Sequence, residues 1–94
     1  MIRVIAHFKP KAGKLEEARE LLLGFCGPTR AEKGCVFYDL HENPANAEDL
    51  TFIEEWESEE DLDAHGLSAH IQAGRKRLPD VMEFADVRRY RMIG

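Results

Sequence analysis

The residues best suited to chemistry lie close together in the sequence, between positions 56 and 70. This segment holds the only tryptophan, Trp56, and two of the four histidines, His65 and His70. A histidine exchanges its proton near neutral pH, which suits general acid–base catalysis, and a tryptophan can stack on a flat aromatic molecule. These residue types could together bind a flat aromatic molecule and exchange a proton with it.

Helix electrostatics predict different roles for the two histidines. His65 falls in the last turn of a predicted short helix, where the helix dipole favours a cation, and His70 falls in the first turn of the next helix, where a cation is disfavoured. We therefore expect His70 to be the neutral general base and His65 the proton donor. Two alternatives stay open, because both histidines could be surface groups at helix ends and Trp56 could be a plain core residue.

Polar residues elsewhere in the sequence are weaker candidates. The phenol of Tyr38 could hydrogen-bond to a substrate oxygen beside an aromatic pocket. Three strand carboxylates could each orient a histidine: Asp39, Glu54 and Glu55. Arg30 and Glu32 precede the second predicted strand, and we interpret them as a surface or dimer-contact pair.

The histidine spacing argues against a metal site. His65 and His70 are five residues apart with Gly66 between them, whereas two ligands on one helix face follow the spacing His-x-x-x-His. The sequence also has no glycine motif typical of nucleotide binding. We therefore predict no metal ligands and no cofactor.

Composition and charge restrict the class of protein. The 94 residues, 44% hydrophobic and 33% charged, suit one domain spanning residues 1–94. A net charge of −5 opposes binding to nucleic acid or to an anionic membrane surface. No apolar run is long enough for a signal peptide or a membrane-spanning helix. Two cysteines without a CxxC pair, Cys26 and Cys35, suit a reducing compartment, so we expect a cytoplasmic protein.

Capping and breaking residues define three predicted helices. The first, at 14–26, is expected to end at the Gly-Pro pair that follows it. Ser58 is expected to cap a short second helix that Gly66 stops. Ser68 is expected to cap the third helix, which Pro79 breaks or kinks.

Alternating apolar residues predict four strands, at 2–8, 35–41, 50–57 and 84–92. With the helices, their order matches the α+β ferredoxin-like split βαβ fold, its second helical segment broken in two. Helices cover one sheet face in this fold, yet the strands carry large apolar groups on both faces, with Phe37 and Ile53 opposite Tyr38 and Phe52. We therefore expect a homodimer in which two sheets pack together, and which face meets the partner stays open.

Several short motifs together are similar to those of a known family. They are the segments Glu32-Lys33-Gly34-Cys35, Glu55-Trp56-Glu57-Ser58, Leu62-Asp63-Ala64-His65 and Ser68-Ala69-His70. The chain resembles the antibiotic biosynthesis monooxygenase family over nearly its whole length, and within it the bacterial quinol monooxygenases. The resemblance implies a dimeric α/β barrel whose ferredoxin-like protomers each have a small pocket between sheet and helices. It also implies oxidation of phenolic or quinol substrates by O2 without a metal or organic cofactor.

Three functions follow from these patterns and this resemblance. The first is a cofactor-independent monooxygenase that oxidises a small phenolic, quinol or anthrone-type aromatic with O2. Its expected site residues are catalytic His70 and His65 and substrate-binding Trp56 and Tyr38. We expect Trp56, His65 and His70 to form one wall of the pocket. The second is a non-enzymatic dimeric module that binds a small aromatic ligand. The third is a haem-binding or haem-degrading relative, which the resemblance disfavours because such relatives use an asparagine and a histidine where this chain has Ala6 and Arg75.

Overall fold

The chain forms a four-stranded antiparallel sheet covered on one face by four helices, in a computed structural model of residues 1–94. The elements in chain order are β1 (Ile2–Pro10), α1 (Leu15–Leu23), α2 (Cys26–Arg30), β2 (Cys35–Asn43), β3 (Asn46–Trp56), α3 (Glu59–Gly66), α4 (Ala69–Val81) and β4 (Met82–Tyr90). The strands lie in the order β2-β3-β1-β4, and every neighbouring pair is antiparallel. This order confirms the predicted α+β class and the ferredoxin-like topology.

Burial alternates along the central strands, as expected for a sheet with one covered face. On β1, Val4, Ala6 and Phe8 are buried, while His7 and Lys9 are exposed. On β3, the buried residues are Leu50, Phe52, Glu54 and Trp56. The core therefore lies between the sheet and the helices.

The segment from β3 to α4 turns twice within a few residues. The side chain of Ser58 caps α3 as predicted, since its Oγ accepts a hydrogen bond from the backbone N–H of Asp61 at 3.1 Å. The helix ends at Gly66, also as predicted. Ser68 makes no side-chain cap for α4, and its Oγ instead donates to the carbonyl oxygen of His65 at 2.7 Å. This bond tightens the turn between the two helices.

The first predicted helix is interrupted. It was expected to run over 14–26 and to end at Gly27-Pro28, but α1 ends at Leu23 and these two residues lie inside α2. A proline is tolerated in the first turn of a helix, because the backbone N–H that it lacks would have no partner there. The expectation that Gly27-Pro28 ends the helix is therefore wrong.

The last helix continues through its proline. Pro79 was expected to break or kink α4, yet the helix runs on to Val81. Val81 is 4% exposed, and its carbonyl accepts a hydrogen bond from the N–H of Lys11 at 2.8 Å. These tertiary contacts offset the backbone bond that the proline removes. No helix has the length or the apolar character needed to cross a membrane, since the longest has 13 residues.

Helix α4 approaches the segment between α1 and α2 very closely at Gly74. A Cβ atom built at this position would overlap the ring of Phe25. Phe25 is 7% exposed and belongs to the core. The absence of a side chain at Gly74 therefore allows the aromatic ring to lie directly against the helix backbone.

The other sheet face carries no helix. Its side chains include partly or fully exposed apolar residues from all four strands, which together we call the open face: Ile5, Phe37, Ile53, Phe84 and Tyr90. Ile5 and Ile53 lie directly opposite each other on the two central strands. The predicted uncovered apolar surface is therefore the open face.

Candidate active site

A cavity of about 230 Å³ lies between the helix-covered face of the sheet and helices α3 and α4. Its lining is mostly apolar and comes from all four strands as well as from helices α3 and α4. The aromatic and aliphatic lining residues include Val4, Phe8, Phe25, Phe52, Leu62, Ile71 and Leu78. A pocket of this size and composition suits one small, flat, apolar molecule.

Three polar side chains reach this apolar cavity while being almost fully buried. Tyr38 is 3% exposed, Glu54 is 4% exposed and His65 is 8% exposed. Polar groups in such surroundings orient a ligand and exchange protons with it. The cavity therefore combines an aromatic-sized volume with a phenol, a carboxyl and an imidazole.

The imidazole of His65 is held by a carboxylate from the segment between α2 and β2. Its Nδ1 lies 2.7 Å from Oε2 of Glu32, which follows α2. In the neutral imidazole this contact places the proton on Nδ1, where it donates to Glu32, and leaves Nε2 as the nitrogen that can accept a proton. Burial, the largest cause, lowers the pKa of His65, and the hydrogen bond to Glu32 opposes this effect. A neutral His65 poised to take up a proton is the result.

His70 lies next to the same carboxylate but outside the cavity. Its Nε2 is 2.8 Å from Oγ1 of Thr29 and 3.4 Å from Oε2 of Glu32, and its side chain is 23% exposed. It is not among the residues that line the cavity. His65 and His70 are therefore close, with ring centroids 6.0 Å apart, but only His65 faces a ligand.

Trp56 lies behind the cavity wall. The indole is 0% exposed, its ring centroid lies 4.8 Å from that of His65, and it does not line the cavity. Its Nε1 donates a hydrogen bond to Oε1 of Glu54 at 2.9 Å. Of the three side chains expected to form one wall, Trp56, His65 and His70, only His65 lines the cavity.

Burial dominates the electrostatics of the two oxygen acids in the cavity. Desolvation raises the pKa of Glu54 to about 7, against the opposing hydrogen bond from Trp56. Desolvation and then the neighbouring Glu54 raise the pKa of Tyr38 well above its ordinary value. At neutral pH, Tyr38 is a phenol that can donate a hydrogen bond, and Glu54 keeps its proton to a higher pH than an exposed carboxyl does.

The sequence predicted two of the cavity side chains but missed the key carboxylate. His65 and Tyr38 line the cavity, whereas Glu32 was interpreted as the surface partner of Arg30. That pairing is wrong, since Arg30 contacts Asp39 at 3.2 Å and Glu32 contacts the histidines. Glu32 belongs to one of the recognised motifs, so its position in the motif was the available signal.

The residues around Glu32 also form the only cluster suited to a metal ion. One ligand atom each from Glu32, His65 and His70 lies within 4.8 Å of the others. The spacing of the two histidines excludes only a site on one helix face. This cluster instead joins residues of α3, α4 and the segment after α2. Two histidines and a carboxylate could hold a divalent cation, although one ring nitrogen of each histidine is already engaged, Nδ1 of His65 by Glu32 and Nε2 of His70 by Thr29.

Comparison with known proteins shows a relationship over most of the chain. The family model described as "Antibiotic biosynthesis monooxygenase" matches residues 1–77. A protein from Mycobacterium tuberculosis named "Putative monooxygenase Rv0793" is 36% identical over 81 residues, which cover 86% of this chain and 79% of that protein. The solved structure of Rv0793 aligns with a TM-score of 0.93 at 31% identity, covering 99% of this chain and 95% of that one.

A second structure supports the same relationship. The crystal structure of a conserved protein from Methanosarcina mazei Go1 aligns with a TM-score of 0.90 at 32% identity, covering 96% of this chain and 90% of that one. The stretch matched by the family model includes Glu32, Tyr38, Glu54, His65 and His70. The chain therefore belongs to the antibiotic biosynthesis monooxygenase family.

Proposed function

We propose that this protein is a cofactor-independent monooxygenase that oxidises a small phenolic, quinol or anthrone-type aromatic with O2. The observation that carries the proposal is the buried imidazole of His65, which faces an apolar cavity and is held by Glu32 at 2.7 Å. The relative named as a monooxygenase supports the reaction class. Substrate type is inferred from the cavity, which is aromatic in size and apolar in lining.

In the proposed reaction, His65 acts as the general base. Its Nε2 takes the proton of the substrate, and the imidazolium that forms is stabilised by the carboxylate of Glu32. The electron-rich substrate anion is then oxidised by O2: a C–O bond forms at a carbon that carries hydrogen, and the peroxide anion takes back the proton from His65. The hydroperoxide then loses water, as its O–O bond and the C–H bond of that carbon break, to leave a carbonyl. One oxygen atom thus enters the product and the other leaves as water. Tyr38 donates a hydrogen bond to the substrate oxygen as charge develops there.

The remaining expected site residues receive supporting roles in this proposal. His70, which Thr29 holds at 2.8 Å, lies 3.4 Å from the carboxylate of Glu32 and helps to orient it. Trp56 fixes Glu54 through the 2.9 Å hydrogen bond of its indole N–H. The position of His65 on the cavity favours it over His70 as the base, in place of the assignment that helix dipoles alone suggested.

The proposal includes a homodimer formed through the open face. Ile5 and Ile53 form an apolar pair at its centre, and Phe37, Phe84 and Tyr90 extend this surface to both edges of the sheet. Leaving these groups in water costs free energy, and a second copy related by two-fold symmetry covers them with an identical surface. Cys26 and Cys35 are free thiols, which supports the expected cytoplasmic location.

O2 uptake with a panel of hydroquinones and anthrones tests the proposal. The wild type should oxidise at least one compound, and His65→Gln should lower the rate about 10²- to 10⁴-fold, as expected when a general base is lost. His41→Gln is the matched control, because His41 is exposed and lies outside the cavity. Full activity of His65→Gln would contradict the base assignment. Binding of aromatic compounds without any oxygen uptake would favour the non-enzymatic binding module.

A further inference from the structure

Two guanidinium groups are among the residues that line the mostly apolar cavity. Arg75 comes from α4 and Arg89 from β4, and both are among the lining residues together with His65 and Glu54. The chain carries a net charge of −5, with 18 acidic residues available to neutralise 13 basic ones. Positive charge beside an apolar cavity therefore needs an explanation of its own, which the proposed proton transfer does not supply.

Arg75 has no carboxylate partner. Its Nη1 donates a hydrogen bond to the carbonyl oxygen of Gly66 at 2.9 Å, which fixes the guanidinium at the turn between α3 and α4. None of the ion pairs in the structure includes it. Its positive charge is felt in the cavity, since it contributes to lowering the pKa of His65. Arg75 is thus oriented by the backbone while most of its donors stay available for a ligand.

Arg89 lies at a defined distance from the polar end of the cavity. Arg89 and Glu54 both stand opposite Val4, on the two strands that flank β1, and on the same sheet face. Neighbouring strands are about 4.8 Å apart, so the two backbone positions are separated by about 10 Å. Nη2 of Arg89 contacts Asp63 at 2.8 Å, which holds the guanidinium at the cavity edge. Because this contact pairs Arg89 with a carboxylate, Arg75 is the one guanidinium of the cavity lining that has no carboxylate partner.

We infer that the ligand of this cavity is an aromatic acid, whose carboxylate binds Arg75 while its phenol or quinol hydroxyl faces His65 and Tyr38. This inference deepens the proposed function and rests on it for the role of the hydroxyl group. A guanidinium forms paired hydrogen bonds with a carboxylate, and such charge-assisted bonds are about twice as strong as neutral ones. Glu54 in its ionised form repels a carboxylate, which further favours the orientation in which the ligand carboxylate lies at Arg75.

Binding measured without O2 tests the inference independently of turnover. We would titrate ¹⁵N-labelled protein with 2,5-dihydroxybenzoate and with its neutral isostere 2,5-dihydroxybenzamide under argon, following the amide signals of Gly66 and the indole signal of Trp56. The acid should bind about tenfold more tightly than the amide, in line with a charge-assisted hydrogen bond at a partly exposed site. Equal affinities, or no saturable shift with the acid, would overturn the inference.

Substitutions on α4 locate the source of the selectivity. Arg75→Met should bring the affinities for the acid and the amide to within about twofold of each other, and Arg75→Lys should restore part of the preference. Arg77→Met is the control, because it removes the same charge from the same helix at an exposed position outside the cavity. An unchanged preference in Arg75→Met would mean that the guanidinium does not bind the carboxylate. Acid preference without oxidation of any compound would support the inference while rejecting the proposed function, and oxidation without acid preference would do the reverse.

Discussion

Glu54→Gln should prevent the decrease in the free energy of unfolding that the wild type undergoes as the pH rises through the pKa of Glu54. The carboxyl is 4% exposed, and desolvation raises its pKa from 4.5 to about 7. A tenfold change in proton affinity corresponds to about 1.4 kcal/mol, so the ionised carboxylate destabilises the folded state by about 3 kcal/mol once it has lost its proton. Glutamine is neutral at every pH and keeps an oxygen that can accept the hydrogen bond from Trp56, which lies at 2.9 Å in the wild type.

The direction of the effect follows from where the proton is bound. Below pH 4.5 the carboxyl is protonated in both the folded and the unfolded chain, and it contributes no pH dependence. Between pH 4.5 and about 7 only the folded state keeps the proton, so the free energy of unfolding falls as the pH rises. The loss is complete above pH 7. Glu54→Gln should therefore gain about 3 kcal/mol relative to wild type between pH 4.5 and pH 8.

Urea unfolding followed by the fluorescence of Trp56 measures this difference at the two pH values. The protein concentration is kept constant, because the stability of a dimer depends on it. Glu55→Gln is the matched control, since Glu55 precedes Trp56 on the opposite side of the same strand and pairs with Arg3 at 3.4 Å. A difference between Glu54→Gln and wild type that stays constant from pH 4.5 to pH 8 would refute the argument from burial.

Three further predictions concern the dimer, the helix cap and the histidine cluster. Ile53→Asp should yield a monomer or an unfolded chain in sedimentation velocity, because an unpaired charge would be buried between the two sheets; a stable dimer would contradict the open face as the interface. Ser58→Ala should lower the free energy of unfolding by about 1 kcal/mol through loss of the cap bond to Asp61, measured by urea unfolding. Elemental analysis of the purified protein should find no stoichiometric zinc or iron, because Glu32 and one ring nitrogen of each histidine already have protein partners; one ion per chain would assign the cluster with Glu32 as its site.

The fold could be predicted because its signals are local. Alternating burial on β1 and the Ser58 cap are properties of a few consecutive residues, and both are visible in the sequence. Boundaries were less predictable where tertiary contacts decide them, as in α4, where Pro79 is tolerated because Val81 is buried. Strands β2 and β3, predicted at 35–41 and 50–57, extend toward each other as a hairpin and leave a turn of two residues between Asn43 and Asn46.

The site could be predicted only in part, because its key contact joins distant segments. Glu32 and His65 are 33 residues apart, and no periodicity links them. The sequence could not show which sheet face is the open face, because Phe37 and Tyr38 are neighbouring aromatic residues of similar size. Only the register of β2 against β3 shows which of them faces the helices. Trp56 was expected to contact the ligand. Its side chain lies on the same sheet face as that of Glu54, where it is buried and donates a hydrogen bond to the Glu54 carboxyl.

The contact between Gly74 and Phe25 allows a residue outside the cavity to influence the volume of the cavity. The ring of Phe25 forms part of the cavity wall, while Gly74 lies behind it and does not line the cavity. A methyl group at position 74 would displace the ring, and the cavity is the free volume that borders it. Alanine at this position would therefore shrink the cavity from behind. Size selectivity in this fold can diverge through a helix residue that no ligand contact would identify.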